Sequence, residues 1–205
     1  MPPGNADVVR KVFEDAFDAW RAEDERCLEL GGGKQMLLCR IVGKDESGAM
    51  IDRPVGVVYT EQDAELYLDQ QDALKAGFSH SFSLFGAADI DAAVANLDPD
   101  VEWVHQPETG APEEGIYKGR EKVRNLLERL REAWDRFSVD VHDVAERGNE
   151  FVVDGTINAR GRISDIELEG ECQYVVEFQD SKANRIQFTT RTAPVLSPPK
   201  KSDVA

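Results

Sequence analysis

The sequence contains few cysteines, and their spacing excludes the common cysteine-based sites. Cys27, Cys39 and Cys172 cannot all pair within one chain, and no two of them are spaced as Cys-x-x-Cys. We therefore expect neither a thiol redox motif nor a zinc knuckle. Unpaired thiols are typical of a reducing compartment, so we predict a cytoplasmic protein. The acidic loop 108–114 does not have the spacing of an EF-hand, and GGGK at 31–34 is not a phosphate loop, so we expect no metal and no cofactor.

Long apolar runs and positive charge are also lacking. No stretch approaches the roughly 18 apolar residues that span a bilayer, and residues 1–7 have neither the basic start nor the apolar run of a secretory signal. Lys and Arg number 24 against 40 Asp and Glu, a net charge of −16. Because such a chain repels phosphates, we expect no nucleic-acid partner and no membrane partner.

Apolar periodicity predicts both helices and strands. Stripes at three- and four-residue steps predict helices over 8–22, 72–86 and from Gly119 to about Phe137, with Asp89 capping a shorter one. Residues 98–100 are expected to form a turn, because Pro99 disfavours helical backbone before it. Short β-branched or alternating runs predict strands. The predicted strands cover residues 36–42, 55–60, 66–68, 101–105, 138–146, 150–160, 164–179 and 184–192.

The order of these elements suggests an internal repeat. Segments 8–70 and 122–192 share one plan, a helix that ends near a Trp (Trp20 and Trp134), a Gly turn and then strands. Either amphipathic patterns coincide, or the first segment is a truncated duplicate. On the second interpretation the domains are a partial repeat at 7–71, a complete domain at 72–193 and a disordered tail at 194–205.

Two stretches resemble the SnoaL-like family, which is related to ketosteroid isomerases, polyketide cyclases and nuclear transport factor 2. They read NLDPDVEW at 96–103 and IYKGREKVR at 116–124, and FSLF at 82–85 and DIDA at 89–92 add to them. The resemblance spans about residues 72–193. It implies an α+β fold in which a strongly curved antiparallel sheet wraps around helices as a cone-shaped α+β barrel and leaves a hydrophobic cavity.

The family resemblance also implies where a catalytic base would stand, and this sequence departs from that pattern. The isomerase Asp before a Pro is matched by Gln106, and the last strand, 186–191, carries no acid where the cyclase base lies. The isomerase donor Tyr is replaced by the region of Phe78, His80 and Phe82. The sequence therefore has no carboxylate at either base position that the resemblance implies.

His105 and Asp154 are the candidate catalytic residues. Alternation from Val101 places Trp103 and His105 on one face of a strand, and a His of near-neutral pKa can act as a base. The alternative is a hydrogen-bonded histidine in the cavity wall or rim. Asp154 lies on a polar strand face, which is either an acid in the cavity or a solvated surface.

We expect a hydrophobic small molecule to bind in the cavity, with aromatic residues and one cation as its contacts. The candidate ligand-binding residues are Phe82, Trp103, Tyr117, Trp134, Tyr174 and Arg191, although a solvent-facing Arg191 is the alternative. Two function classes stay open: an isomerase or cyclase acting on a ketone-like substrate, and a non-catalytic ligand-binding or dimerisation module. The partner would be a homodimer subunit, or the amino-terminal half would act as an intrachain pseudo-dimer or swap into a partner.

Overall fold

The computed structural model describes residues 6–17, 19–45, 47–87, 89–106, 113–191 and 195–197. The helices are α1 Ala6–Ala16, α2 Gln70–Gly86, α3 Ile90–Ala95 and α4 Arg120–Ala133. The strands are β1 Ala19–Gly31, β2 Lys34–Lys44, β3 Met50–Tyr59, β4 Ala64–Tyr67, β5 Leu97–Gln106, β6 Gly115–Lys118, β7 Trp134–Arg147, β8 Glu150–Gly161, β9 Glu167–Gln179, β10 Lys182–Thr190 and β11 Val195–Ser197. Among the described residues, no helix is long and apolar enough to cross a membrane.

The strands form two sheets. The first, here called the amino-terminal sheet, has the order β1-β2-β3-β4 with every neighbour antiparallel. The second has the order β6-β5-β10-β9-β8-β7, and β11 pairs with β9. Its strands are antiparallel except for the parallel pair of β5 and β10. This second sheet with α2, α3 and α4 is called the cone below, and it confirms the predicted α+β class.

Helix α2 lies between the two sheets and packs against both of them. Small residues let it approach the amino-terminal sheet: a Cβ added at Gly56 would lie 2.2 Å from Cβ of Ala73, and one at Gly77 would lie 3.1 Å from Sδ of Met36. Phe78, further along the helix, packs on Phe151 of β8 with ring centroids 5.6 Å apart. Helix α1 covers the other face of the amino-terminal sheet, where Phe13 is 1% exposed.

Several predicted boundaries are wrong, for physical reasons. The helix predicted over 8–22 ends at Ala16, and β1 follows. The Ala, Glu and Arg residues of β1 are good helix formers, and only its pairing with β2 makes it a strand. The helix predicted to Phe137 likewise ends at Ala133, so Trp20 and Trp134 both lie in strands. Pro99 lies within β5 and not in a turn; β10 pairs with Leu97 and then only from Glu102 onward, so Pro99 breaks no ladder bond.

The predicted disordered tail also needs correction. Val195–Ser197 forms β11 and pairs with Glu167–Glu169 of β9, which extend beyond the stretch that β10 covers. Of the predicted tail 194–205, residue 194 and residues 198–205 lie outside the described residues. The orders α1-β1-β2-β3-β4 and α4-β7-β8-β9-β10 follow one plan, while a duplication and the boundary at 71 remain predictions.

The predicted pairing of sheet with sheet inside the chain is not what the structure shows. The amino-terminal sheet packs on α2, and the outer face of the cone sheet keeps partly exposed side chains such as Asp154 and Arg191 (31% and 50%). An intrachain pseudo-dimer of that kind is therefore a corrected expectation.

Candidate functional site

A cavity of about 150 Å³ lies inside the cone, between the helices and the concave face of the sheet. Its wall is largely aromatic. The aromatic residues that line it are Phe78, Phe82, Phe85, Trp103, Trp134, Phe137, Tyr174, Phe178 and Phe188. Such rings offer large apolar area and π faces to an enclosed ligand.

A few polar side chains interrupt this apolar wall. Ser81, Asn96, His105, Glu113 and Thr190 are among the lining residues. Nδ1 of His105, Nε1 of Trp103 and Oδ1 of Asn96 are buried without a hydrogen-bond partner among the described residues. An unpaired buried polar group costs about 1–3 kcal/mol. Three such atoms belong to residues of one cavity wall, so a ligand with polar groups could pair with atoms that otherwise lack a partner.

The imidazole ring of His105 is buried inside the cone and stacked on another ring. It lies on β5, is 6% exposed, and stacks on Phe188 of β10 with ring centroids 4.8 Å apart and planes 21° from parallel. Burial lowers the pKa of its imidazole from an ordinary 6.5 to about 4. The ring is therefore neutral at pH 7, able to donate one hydrogen bond and accept another, and it is a weak base.

Four of the predicted ligand-binding residues lie in the cavity wall: Phe82, Trp103, Trp134 and Tyr174. The ring of Tyr174 contacts that of Phe82, with centroids 4.6 Å apart, and that of Phe188, a further lining residue, at 4.8 Å. Burial raises the pKa of its phenol well above the ordinary value, so Tyr174 stays a neutral hydroxyl. The placement of these four matches the sequence reasoning, and their role in binding remains a prediction.

Asp154 and Arg191 are not among the residues that line the cavity, and their placement matches the solvent-facing alternative given for each. On β8 the alternation turns Val153 inward and Asp154 outward, where Nη2 of Arg191 lies 3.0 Å from its Oδ1. Nε2 of Gln173 donates to the same carboxylate at 2.8 Å. Asp154 is thus an acid of the outer sheet face, and Arg191 pairs with it.

Tyr117 is also not a lining residue. Its hydroxyl donates to the carbonyl oxygen of Glu113 at 2.7 Å, and Nη2 of Arg129 donates to that hydroxyl at 3.2 Å. Tyr117 therefore supports the backbone at Glu113, whose side chain does line the cavity. Sequence reasoning missed Glu113 because it is one of several acids in an irregular loop, with no periodicity to give it a direction.

The positions that hold a base in isomerases and cyclases contain none here. Gln106 is exposed at the end of β5, and β10 with Arg191 presents no carboxylate. His80 and Ser81 of α2 hydrogen-bond to the amino-terminal sheet. Among the described residues no group of His, Cys, Asp or Glu is arranged to hold a metal ion. Burial also raises the pKa of the Cys172 thiol to about 12, so it is an inert side chain.

Comparisons with known proteins agree with this architecture. The family model described as a SnoaL-like domain matches residues 78–186. An NTF2-like protein of unknown function from Burkholderia pseudomallei has 23% identity, with 55% of this chain and 86% of that one covered and a TM-score of 0.50. TerC, crystallised with polyporic acid, has 23% identity, coverage of 53% and 83% and a TM-score of 0.48. An LEH-like epoxide hydrolase from M. tuberculosis has 16% identity, coverage of 53% and 75% and a TM-score of 0.44. The search of curated proteins finds no match.

Proposed function

We propose a function on the premise that this chain belongs to the SnoaL-like domain family: its cone binds a small aromatic molecule that carries a polar group. The observation that supports this proposal is the aromatic cavity with three unpartnered buried polar atoms in its wall. A cavity of about 150 Å³ is comparable with the engineered core cavity that binds benzene.

The two parts of the wall contribute differently to binding. Apolar contact supplies most of the affinity, at about 25 cal/mol per Å² removed from water. The polar residues supply selectivity, because a ligand hydroxyl or carbonyl that pairs with His105 or Trp103 removes the cost of a buried unpaired group. A purely apolar ligand of the same shape leaves that cost in place.

The test uses 4-ethylphenol as the probe and ethylbenzene, which lacks the hydroxyl, as the matched control ligand. We expect isothermal titration calorimetry to give a dissociation constant of about 0.1–1 mM for 4-ethylphenol, in the range of efficient fragments of its size. Ethylbenzene should bind at least fivefold more weakly. Absence of saturable 4-ethylphenol binding at 5 mM would reject the proposal.

A matched pair of variants places this binding in the cavity. His105→Phe keeps an aromatic ring beside Phe188 and removes the polar nitrogens, so we expect about tenfold weaker 4-ethylphenol binding and unchanged ethylbenzene binding. His142→Gln, on the exposed outer face where His142 contacts Thr156, should change neither. Equal loss in both variants would move the binding site away from the cavity.

Isomerase- or cyclase-like chemistry on a ketone is the second candidate, and the shared wall position of Glu113 and His105 favours it. A carboxylate can accept a proton next to a carbonyl while a neutral imidazole donates a hydrogen bond to the enolate oxygen. Exchange of the α-protons of 2-indanone in D2O, followed by proton NMR, tests this step. The enzyme class requires exchange above the buffer rate that falls at least 100-fold in Glu113→Gln, whereas exchange at the buffer rate leaves ligand binding as the function.

A further inference from the structure

The end of strand β1 contacts two residues of the cavity wall. Nδ2 of Asn96 donates to the carbonyl oxygen of Glu29 at 3.3 Å, and Oγ of Ser81 donates to the carbonyl oxygen of Leu30 at 2.9 Å. Both Asn96 and Ser81 line the cavity. The amino-terminal sheet is therefore hydrogen-bonded directly to the shell of the site.

The next residue, Gly31, brings the turn between β1 and β2 close against the helices. Nε2 of His80 lies 3.2 Å from the Gly31 carbonyl oxygen, which can only accept, so the ring nitrogen is the donor. Gly31 has φ +85°, and a Cβ there would lie 2.6 Å from the carbonyl oxygen of Ala92 and 2.8 Å from Cδ1 of Leu84. Three successive carbonyls of β1 thus accept bonds from the cone, at a contact that only glycine fits.

A further bond fixes the same strand end from the other side. The backbone nitrogen of Glu29 donates to the carbonyl oxygen of Ser181, in the turn before β10, at 2.8 Å. Nζ of Lys182 lies 3.8 Å from the Glu29 carboxylate. Residues 29–31 are therefore held between the β9–β10 turn and the helices, a segment called the docked tip below.

We propose that the docked tip positions Asn96 and Ser81 in the cavity wall, so that ligand binding in the cone depends on the attached amino-terminal sheet. This inference rests on the proposed ligand-binding function. With its amide nitrogen engaged by Glu29, Asn96 keeps Oδ1 as the free acceptor, which suits a ligand with a hydroxyl or N–H donor. When the tip undocks, the amide can rotate and the wall loses that fixed acceptor.

Energetic coupling between the tip and the cavity is reciprocal. A ligand that binds only when Asn96 and Ser81 are fixed also favours the docked tip, by the same factor. The amino-terminal sheet then changes the ligand affinity of the cavity without contacting the ligand. Substitutions that weaken docking of the tip therefore lower that affinity.

The experiment compares Gly31→Ala with Gly33→Ala in the full chain. Gly33 has a similar φ of +75°, but nothing lies within 4 Å of an added Cβ. Both variants therefore carry the same kind of backbone strain, and only Gly31→Ala pushes the tip away from Ala92 and Leu84. The first readout is 4-ethylphenol binding by calorimetry, at a temperature where circular dichroism shows all proteins folded.

The second readout needs no ligand. All proteins carry Trp20→Phe, which leaves Trp103 and Trp134 in the cavity wall as the fluorophores. Acrylamide quenching then reports how open the cavity is. We expect Gly31→Ala to weaken 4-ethylphenol binding at least tenfold and to raise the quenching constant at least twofold, while Gly33→Ala changes neither.

The outcomes separate this inference from the proposed function. Equal binding and equal quenching in the two variants overturn the inference. If the parent protein does not bind 4-ethylphenol, the proposed function fails, and the quenching comparison alone decides whether the tip fixes the cavity wall. If Gly31→Ala does not fold, His80→Phe removes one bond to the tip outside the cavity wall. It should raise quenching in the same direction, and unchanged quenching counts against the inference.

Discussion

The amino-terminal sheet and the cone differ in whether the buried polar side-chain atoms of their interiors have hydrogen-bond partners. Around α1 and the amino-terminal sheet, Phe13, Ile41, Val57 and Tyr59 are at most 1% exposed, and the Tyr59 hydroxyl lies 3.3 Å from Sγ of Cys27. In the described part of the chain, the buried side-chain nitrogens and oxygens without a partner all belong to the cone. They are Asn96 Oδ1, Trp103 Nε1, His105 Nδ1, Arg120 Nε and Asn184 Oδ1.

This difference separates packing for stability from packing for a site. A filled interior makes the most of apolar burial and dispersion contacts. A cavity with polar atoms in its wall gives up part of that stabilisation and retains the means to recognise a ligand. Similar element order, helix then four strands, is compatible with both solutions.

The largest effect that tests this comparison is the removal of a ring from each interior. Phe13→Ala leaves a new void in a filled core, so we expect a loss of about 3–5 kcal/mol in the free energy of unfolding. Phe82→Ala enlarges a cavity that already exists, and we expect about 2 kcal/mol or less. Urea denaturation of both variants measures the difference, and equal losses would remove the distinction between the two interiors.

The next effect concerns the neutral His105 of the cone. Its folded pKa is about 4, below the unfolded value near 6.5, so the unfolded chain binds the proton more tightly. Stability from this group is fully present above about pH 6.5 and is lost as the pH falls toward 4. We expect His105 to contribute a decline on the order of 2–3 kcal/mol over that range, measured by urea titrations at each pH as the difference between the parent protein and His105→Phe. His105→Phe should lack this component, and an identical pH profile in the variant would show that His105 is not its source.

The smallest effect is expected when the cavity is made more like the amino-terminal core. Ala93 of α3 lines the cavity, and Ala93→Leu adds apolar atoms to unfilled space. We expect a gain of about 1 kcal/mol in stability together with at least tenfold weaker 4-ethylphenol binding. Thermal denaturation and calorimetry measure the two quantities. A variant that loses stability would mean that the cavity cannot take up the side chain there, and one that retains affinity would place the ligand elsewhere.

Local signals in the sequence were sufficient for much of the cone. Asp89 accepts from the backbone nitrogen of Ala92 at 3.0 Å and begins α3 as predicted, and alternation along β5 correctly turned Trp103 and His105 inward. Strand β1 was missed because helix-forming residues become a strand only through pairing with β2. Asp154 was ambiguous because a polar strand face has no sequence signal that separates cavity from solvent.

The docked tip could not be predicted from local pattern at all. The Gly turn predicted in segment 8–70 is present at residues 32–33. The close contacts of Gly31, however, are with Ala92 and Leu84, which are distant in sequence. Contacts of this kind depend on how the two sheets pack on α2. Local patterns in a single sequence do not show which distant residues are brought together by that packing. Glu113 is a similar case, because its backbone is held by the hydrogen bond from Tyr117 rather than by a periodic pattern in its own segment.

The parallel pairing of β5 with β10 has a consequence for the order of synthesis. Every strand of the amino-terminal sheet pairs with the next one along the chain, so that sheet can be completed as soon as residue 67 has been made. Strand β5 must wait for its central partner until residues 182–190 exist. During translation the cone is therefore open at its middle while the sheet that docks on α2 is already available, and the nascent helix has an apolar surface to rest on before its own barrel can close.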